Sequence, residues 1–283
     1  MKLNKKQIIW ISTGVVVILI LASGLLAYAS SLSDPVTKAL RKVYPAAIVG
    51  GRKIVPVSAS DEFVSIVGRL DSTVSKHTAY QTYLTQVKSE VLMRNLGLKL
   101  DSDSVSDELN FYTKGASSSL DQFISTYFNN SQQSFVDTVV QPEAVEAKLR
   151  IYYNSNFSLN QAAYDKAQNI LMQLKSGTDF ATLAKTESDD KQTAALGGDM
   201  GFFAHGEILP ELEKQIVIAR EGQVSDILVT RDGYEIVEPI ETSTDSSGQK
   251  TWHARHILVQ TNGFEQWLAN QTKNINVVTL KKY

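Results

Sequence analysis

From Gln7 to Ser33 the chain carries no charge, and Ile8 to Ala29 is almost wholly apolar. About 20 such residues are enough for a helix to span a bilayer. Lys2, Lys5 and Lys6 precede the run and Asp34 is the first charge after it. Lysines on the N-terminal flank hold that side in the cytoplasm. The pattern predicts a single-pass membrane anchor with the N-terminus inside and the bulk of the chain outside. A cleaved signal peptide competes, because Ala27-Tyr28-Ala29 gives a small-x-small pattern before Ser30. Either reading exports residues 34–283.

Residues 30–45 read as a Ser/Pro-containing linker, and residues 1–33 as the stub and anchor. Ala46 to Val57 is apolar and interrupted by Gly50-Gly51, which predicts a strand and a turn. Helical spacing follows. Phe63, Ile66, Val67, Leu70 and Val74 fall on one face, with Ser60 in the N-cap position. Tyr80, Leu84, Val87, Val91 and Leu92 continue the period up to Gly97, a C-terminal signal. Shorter helices are predicted around Val105–Tyr112 and Leu120–Phe128. Pro142 opens another, with Val145, Leu149 and Tyr152 on a face. Residues 34–153 therefore read as a helical module. Asp101-Ser102-Asp103 lacks the Gly and distal Glu of a calcium loop and reads as helix capping.

From Phe157 the texture changes. Leu159 to Leu174 makes an amphipathic helix closed by Gly177, and Phe180, Leu183 and Ala184 a shorter one. Pro210 opens a third, with Leu212, Ile216 and Ala219 inward, closed near Gly222. Ile227–Thr230 and Tyr234–Ile240 read as strands joined by the turn signal Arg231-Asp232-Gly233. A polar loop, Thr242–Gln249, leads to a further strand, Trp252–Gln260. Helices followed by strands predict an α+β module with a small antiparallel sheet over 154–262, and residues 263–283 a helix-and-strand tail.

Composition narrows the chemistry. The 28 Lys+Arg and 30 Asp+Glu leave a net charge of −2, which argues against a nucleic-acid partner held by bulk charge. With no Cys in the chain, disulfide scaffolds, thiolate metal sites and Cys nucleophiles are excluded. His253 and His256 are three apart and face opposite sides of a strand, which disfavours a metal site.

Leu174-Lys-Ser-Gly-Thr-Asp-Phe-Ala-Thr-Leu-Ala-Lys185, Ser188-Asp-Asp190, Gly197-Gly-Asp-Met-Gly-Phe202, Gly206-Glu-Ile-Leu-Pro-Glu-Leu-Glu213, Gly222-Gln-Val-Ser225 and Thr230-Arg-Asp-Gly-Tyr-Glu-Ile236 occur in order. Together they resemble the parvulin (PpiC, rotamase) peptidyl-prolyl isomerases. The upstream stretch Ala46-Ala-Ile-Val-Gly-Gly-Arg-Lys-Ile54, followed by helices, looks more loosely like the N-terminal chaperone region of SurA-like and PrsA-like exported foldases. The family's pattern opens with a His-Ile-Leu-Val strand, and here that strand is missing before the first helix. Leu149-Arg-Ile-Tyr152 stands there instead and reads as the end of a helix. A good copy, Ala254-Arg-His-Ile-Leu-Val259, follows the last strand. Circular permutation, the C-terminal strand filling the first strand's slot, is favoured over a truncated second repeat.

The resemblance assigns roles. Asp190 takes the position where the family carries Cys or Asp facing the prolyl imide. Met200, Phe202, Ile208 and Leu212 wall the proline pocket, the last two in place of the family's Met and Phe. Thr230 joins the polar network, and His256 is the family's first His if the permutation holds. Glu235 replaces the second His and is suited to accept a hydrogen bond from His256. The bland readings are a solvated loop carboxylate for Asp190, helix core for Ile208 and Leu212, and a satisfied strand histidine for His256. The implied activity is peptidyl-prolyl cis-trans isomerisation (EC 5.2.1.8) on unfolded or proline-containing exported polypeptides, with no cofactor. A holdase chaperone with a degenerate, non-enzymatic parvulin module is the alternative.

Overall fold

The computed structural model describes residues 35–114, 117–244 and 248–283. The run Ile8–Ala29, with the expected anchor, lies outside the described residues. Among those described, no helix is long and apolar enough to cross a membrane. The described chain forms two compact units: residues up to Leu92 with Thr272–Tyr283, and Met93–Gln271. The sequence reading divides the chain by kind of element, at 153 and 262, whereas these units divide it by packing.

In the first unit, helix α1 (Pro35–Val43) occupies most of the stretch expected to be linker. Proline at the first helical position has its φ preset and no N–H left unpaired there, and Arg41 and Lys42 complement the carbonyl end. Strands β1 (Pro45–Val49) and β2 (Lys53–Pro56) pair antiparallel around Gly50-Gly51, whose φ angles are 59° and 69°. Helix α2 (Val57–Leu70) starts directly after Pro56, so Ser60 lies inside its first turn and is not the N-cap. Its hydroxyl donates to the Val57 carbonyl at 2.9 Å. Helix α3 (Lys76–Asn95) is capped by Ser75, which accepts from the Thr78 N–H at 3.0 Å. Its periodic Tyr80, Leu84, Val87 and Val91 pack with Ala47, Val49 and Val55 in one core. The C-terminal strand Val277–Thr279 pairs antiparallel with β1.

The second unit begins with helices throughout: α4 (Ser102–Lys114), α5 (Ser117–Phe128), α6 (Gln132–Phe135), a π-helical turn over Val136–Val140, and α7 (Gln141–Asn154). Asp101 caps α4 as expected, accepting from the Ser104 N–H at 2.8 Å. Residues 148–153 are helical, in α7. Then come α8 (Gln161–Lys175), α9 (Phe180–Glu187), α10 (Lys191–Ala194), β3 (Asp199–Ala204), α11 (Pro210–Ile216), β4 (Leu228–Val229), β5 (Gly233–Thr244), β6 (Lys250–Gln260) and α12 (Phe264–Thr272). The antiparallel sheet has the order β3-β6-β5-β4, so the strand of residues 254–259 lies in its interior. The mixture of helices and small antiparallel sheets is α+β.

Strand parity sorts the two faces of this sheet, because successive side chains point opposite ways. On one face Tyr234, Ile236, Ile257 and Val259 pack against Ala167, Ile170 and Leu174 of α8 and Phe180, Leu183 and Ala184 of α9. On the other, Val237 and Ala254 pack with Phe203 and with Leu212 and Ile216 of α11. Glu235, His256 and Leu258 share this second face, since the register pairs Glu235 with Leu258 and Val237 with His256. An acid and an imidazole are thus placed on the face that α11 only partly covers.

Candidate functional site

The opening left beside α11 is a cleft of about 410 Å³ lined by Asp190, Met200, Ile208, Leu212, Glu235 and His256, among others. Its polar floor is a chain of hydrogen bonds. His256 Nδ1 lies 2.7 Å from Glu235 Oε2. Its Nε2 lies 3.0 Å from Asp190 Oδ2 and 2.9 Å from the Thr193 hydroxyl. Thr193 donates to Asp190 Oδ2 at 2.6 Å. Behind Glu235, the Thr230 hydroxyl donates to Oε1 at 2.9 Å and accepts from the Asp232 N–H at 3.3 Å.

Local sequence explains most of these positions. Asp190 is the N-cap of α10, accepting from the Gln192 N–H at 3.0 Å. An N-cap carboxylate lies over the third helical residue, here Thr193, whose hydroxyl also reaches it. Asp179 and Thr182 repeat the arrangement at the start of α9, at 2.8 Å from the N–H and 2.7 Å from the hydroxyl. Gly198 brings the loop before β3 against β6: its carbonyl accepts from the His256 N–H at 2.9 Å. A Cβ on Gly198 would stand 2.3 Å from the His256 carbonyl oxygen, and its φ of 85° already disfavours a side chain.

The electrostatics follow from this packing. Burial disfavours the charged form of the His256 ring, but the hydrogen bonds and charges of Glu235 and then Asp190 outweigh it, so its pKa is raised above the ordinary 6.5. Burial pushes the Asp190 carboxyl up, yet the Thr193 hydroxyl, the Gln192 N–H and His256 together hold it below the ordinary 3.8. The shift favours the protonated ring, in which both N–H groups are donated to carboxylates, Nδ1 to Glu235 and Nε2 to Asp190. Asp190 keeps a partly exposed side chain. The arrangement presents a fixed negative charge beside apolar walls; it does not carry an activated hydroxyl or thiol nucleophile.

Of the residues expected in the site, Asp190, Glu235, His256, Met200, Ile208 and Leu212 line the cleft. Thr230 does not face it, being fully buried behind Glu235. Phe202 does not wall it either. The pairing of β3 with β6 slips between Asp199 and Phe202, and Gly201 there has φ of 69°. A bulge of this kind inserts one residue and reverses the parity beyond it. Met200 therefore stays on the cleft side, while Phe202 turns away and lies on the ring of His253, centroids 4.8 Å apart. Thr193 and Asp232 were not expected. The spacing of Thr193 from a capping Asp was a usable signal, whereas Asp232 was absorbed into a turn. His205 pairs with Glu213 outside the cleft.

Residues 153–241 match the Rotamase family, described as a PPIC-type PPIASE domain. Over 100 residues the chain is 36% identical to the chaperone SurA of Legionella pneumophila, covering 35% of this chain and 23% of that protein. It is 40% identical over 72 residues to the foldase protein PrsA of Caldanaerobacter subterraneus, covering 25% of this chain and 24% of the relative. PrsA of Geobacillus kaustophilus is 30% identical over 117 residues, which is 39% of this chain and 40% of that one. The chain thus spans between about a quarter and two fifths of the length of these relatives. A solved structure of PrsA from Bacillus anthracis aligns with a TM-score of 0.23 at 17% identity, covering 68% of this chain and 86% of that one. Strand β6, which supplies His256, lies beyond the matched span. Residues 153–241 thus match the PPIC-type rotamase family, in a chain similar over 72 to 117 residues to SurA and PrsA.

Proposed function

We propose that this chain is a peptidyl-prolyl cis-trans isomerase acting on exported, proline-containing polypeptides outside the cytoplasmic membrane. The observation that carries the reading is the convergence of a low-pKa carboxylate, Asp190, with the apolar Met200, Ile208 and Leu212 on one open cleft. Rotation about a prolyl amide breaks no bond, yet its barrier is about 18–20 kcal/mol because conjugation must be lost. The proline ring lies against the apolar wall with its carbonyl near Asp190. In the planar amide, conjugation puts negative charge on the carbonyl oxygen. A fixed carboxylate beside that oxygen disfavours the planar form more than the twisted one, and only such a difference lowers a barrier. His256, Glu235 and Thr193 hold Asp190 in orientation. Thr230 orients Glu235 from behind.

The interior position of β6 supports the permuted arrangement: the C-terminal strand supplies the histidine that the family's first strand carries. Export rests on the apolar run Ile8–Ala29 and on the likeness to SurA and PrsA. The helical segments and the first unit serve as the surface that holds unfolded chains, and residues 34–153 are proposed as that chaperone module. Catalysed isomerisation of a peptide with a single X-Pro bond, by residues 34–283, tests the enzyme reading.

A non-enzymatic holdase is favoured by a specific observation. Leu212 replaces the family's aromatic and is only 2% exposed, so the proline wall is shallow. A background isomerisation rate, with aggregation of an unfolded protein still suppressed, would establish the holdase in place of the enzyme.

A further inference from the structure

Glu108 of α4 is a carboxylate buried to 2% exposure, well before the matched residues 153–241. Both its oxygens are taken by Arg231, at 2.9 Å from Nη1 and 2.8 Å from Nη2. The same guanidinium reaches Glu211, Nε at 2.9 Å and Nη2 at 3.3 Å. A planar fork of five donors suits this contact, since it meets one carboxylate with two parallel N–H groups and still reaches a second.

The neighbours of these residues give the contact its meaning. Arg231 is flanked by Thr230, which orients Glu235, and by Asp232, which lines the cleft. Glu211 directly precedes Leu212, which forms its apolar wall. One guanidinium therefore ties the β4–β5 hairpin to α11, and Glu108 fixes both from behind. Asn154, at the end of α7, holds the same hairpin through the Thr230 carbonyl at 2.8 Å and the Arg231 carbonyl at 3.3 Å. Burying three charges only to hold the fold together is a weak device, since apolar packing of the same volume often does as well. Fixing the spacing of two cleft walls is something that packing alone does less sharply.

We infer that Glu108 is a positioning residue of the isomerase cleft, setting through Arg231 the distance between the Asp232 hairpin and the Leu212 helix. This rests on the isomerase reading and makes helix α4 part of the working rotamase unit. The effect falls chiefly on substrate fit, because the hydrogen bonds of Glu108 and Arg231 run to each other and to Glu211 and not to Asp190 or His256.

The test is Michaelis kinetics of the exported chain on a tetrapeptide with a single X-Pro bond, at a temperature below every variant's melting transition. Glu108→Gln is expected to raise KM about tenfold with kcat within about twofold. Glu146→Gln, which breaks a half-buried pair with Arg150 away from the cleft, is the control and leaves both constants unchanged. Arg231→Lys, whose ammonium lacks the rigid fork that holds Glu108 by two parallel bonds, serves if Glu108→Gln does not fold and is expected to raise KM likewise. A wild-type KM in either folded variant, even with a lowered melting temperature, overturns the inference and leaves Glu108 purely structural. A wild-type chain with no rate above background overturns the isomerase reading instead, and the positioning role with it.

Discussion

Glu235 and His256 are diagonal neighbours on adjacent antiparallel strands, and their side chains meet at 2.7 Å on one face of the sheet. Residues two positions off register on one face are within reach of long side chains. Glu235 therefore links the Thr230 hydroxyl to His256, and His256 carries the hydrogen-bond chain on to Asp190.

The first expectation concerns that pair. Glu235→Gln removes the largest influence that raises the His256 pKa, leaving burial, which lowers it, against Asp190, which raises it. The His256 titration should move down relative to the wild type, read from the imidazole proton shifts by NMR. An unmoved titration would show that Asp190 alone sets it.

Stability should follow pH through the same groups. The raised His256 pKa makes its contribution complete below the unfolded value of 6.5 and lost as pH rises through the folded value. The lowered Asp190 pKa makes its contribution present above 3.8 and lost as pH falls through the folded value. Urea midpoints of the wild type relative to His256→Gln should hold level between about 4 and 6.5 and shrink on the alkaline side.

Asp190 carries two duties that separate by substitution. Asp190→Asn keeps an acceptor for the Gln192 N–H and should lower the melting temperature less than Asp190→Ala does, while catalysed isomerisation falls by ~10²-fold. Asp190→Ala also removes the helix cap and should cost about 1 kcal/mol of stability. Isomerisation that survives Asp190→Asn intact would remove the charge from the proposed mechanism.

The two aliphatic wall residues should behave differently. Leu212 is buried in the core with Phe203 and Val237, so Leu212→Ala should cost about 2–5 kcal/mol. Ile208 is only partly buried there, and Ile208→Ala should act chiefly on KM for a prolyl peptide. Denaturation curves beside Michaelis constants separate the cases.

Gly198→Ala should destabilise by more than about 2 kcal/mol, because left-handed backbone and a clash with the β6 carbonyl add together. Gly177→Ala, whose Cβ meets nothing within 4 Å although its φ is 95°, should cost only about 1 kcal/mol. Thermal melts of the two single variants decide whether the close approach matters beyond the dihedral angle.

Much of the fold is legible because it is written locally. The period of Tyr80, Leu84, Val87 and Val91 marks α3, and all four are buried. Gly177 after Leu174 closes α8, with the Thr178 N–H returning to the Gln173 carbonyl at 3.0 Å. The Arg231-Asp232-Gly233 turn joins the strands it was expected to join. Local reading fails where one residue serves two roles. Pro35 suits a linker as well as a helix start, and Ser60 suits a cap until the helix begins at Val57.

The sequence alone determined most of the short segments that fold as helix or strand, though not α1 or β3, because propensity, capping and turn geometry act over a few residues. Only the tertiary structure decided which faces they share. A bulge near Gly201 turns Phe202 off the cleft while Met200 stays on it, since side-chain direction in a strand depends on pairing with its neighbour. Glu108 meets Arg231 across 123 positions. No local pattern encodes that meeting; it exists only once the chain has packed helix α4 behind the hairpin and excluded the water that would otherwise solvate both charges.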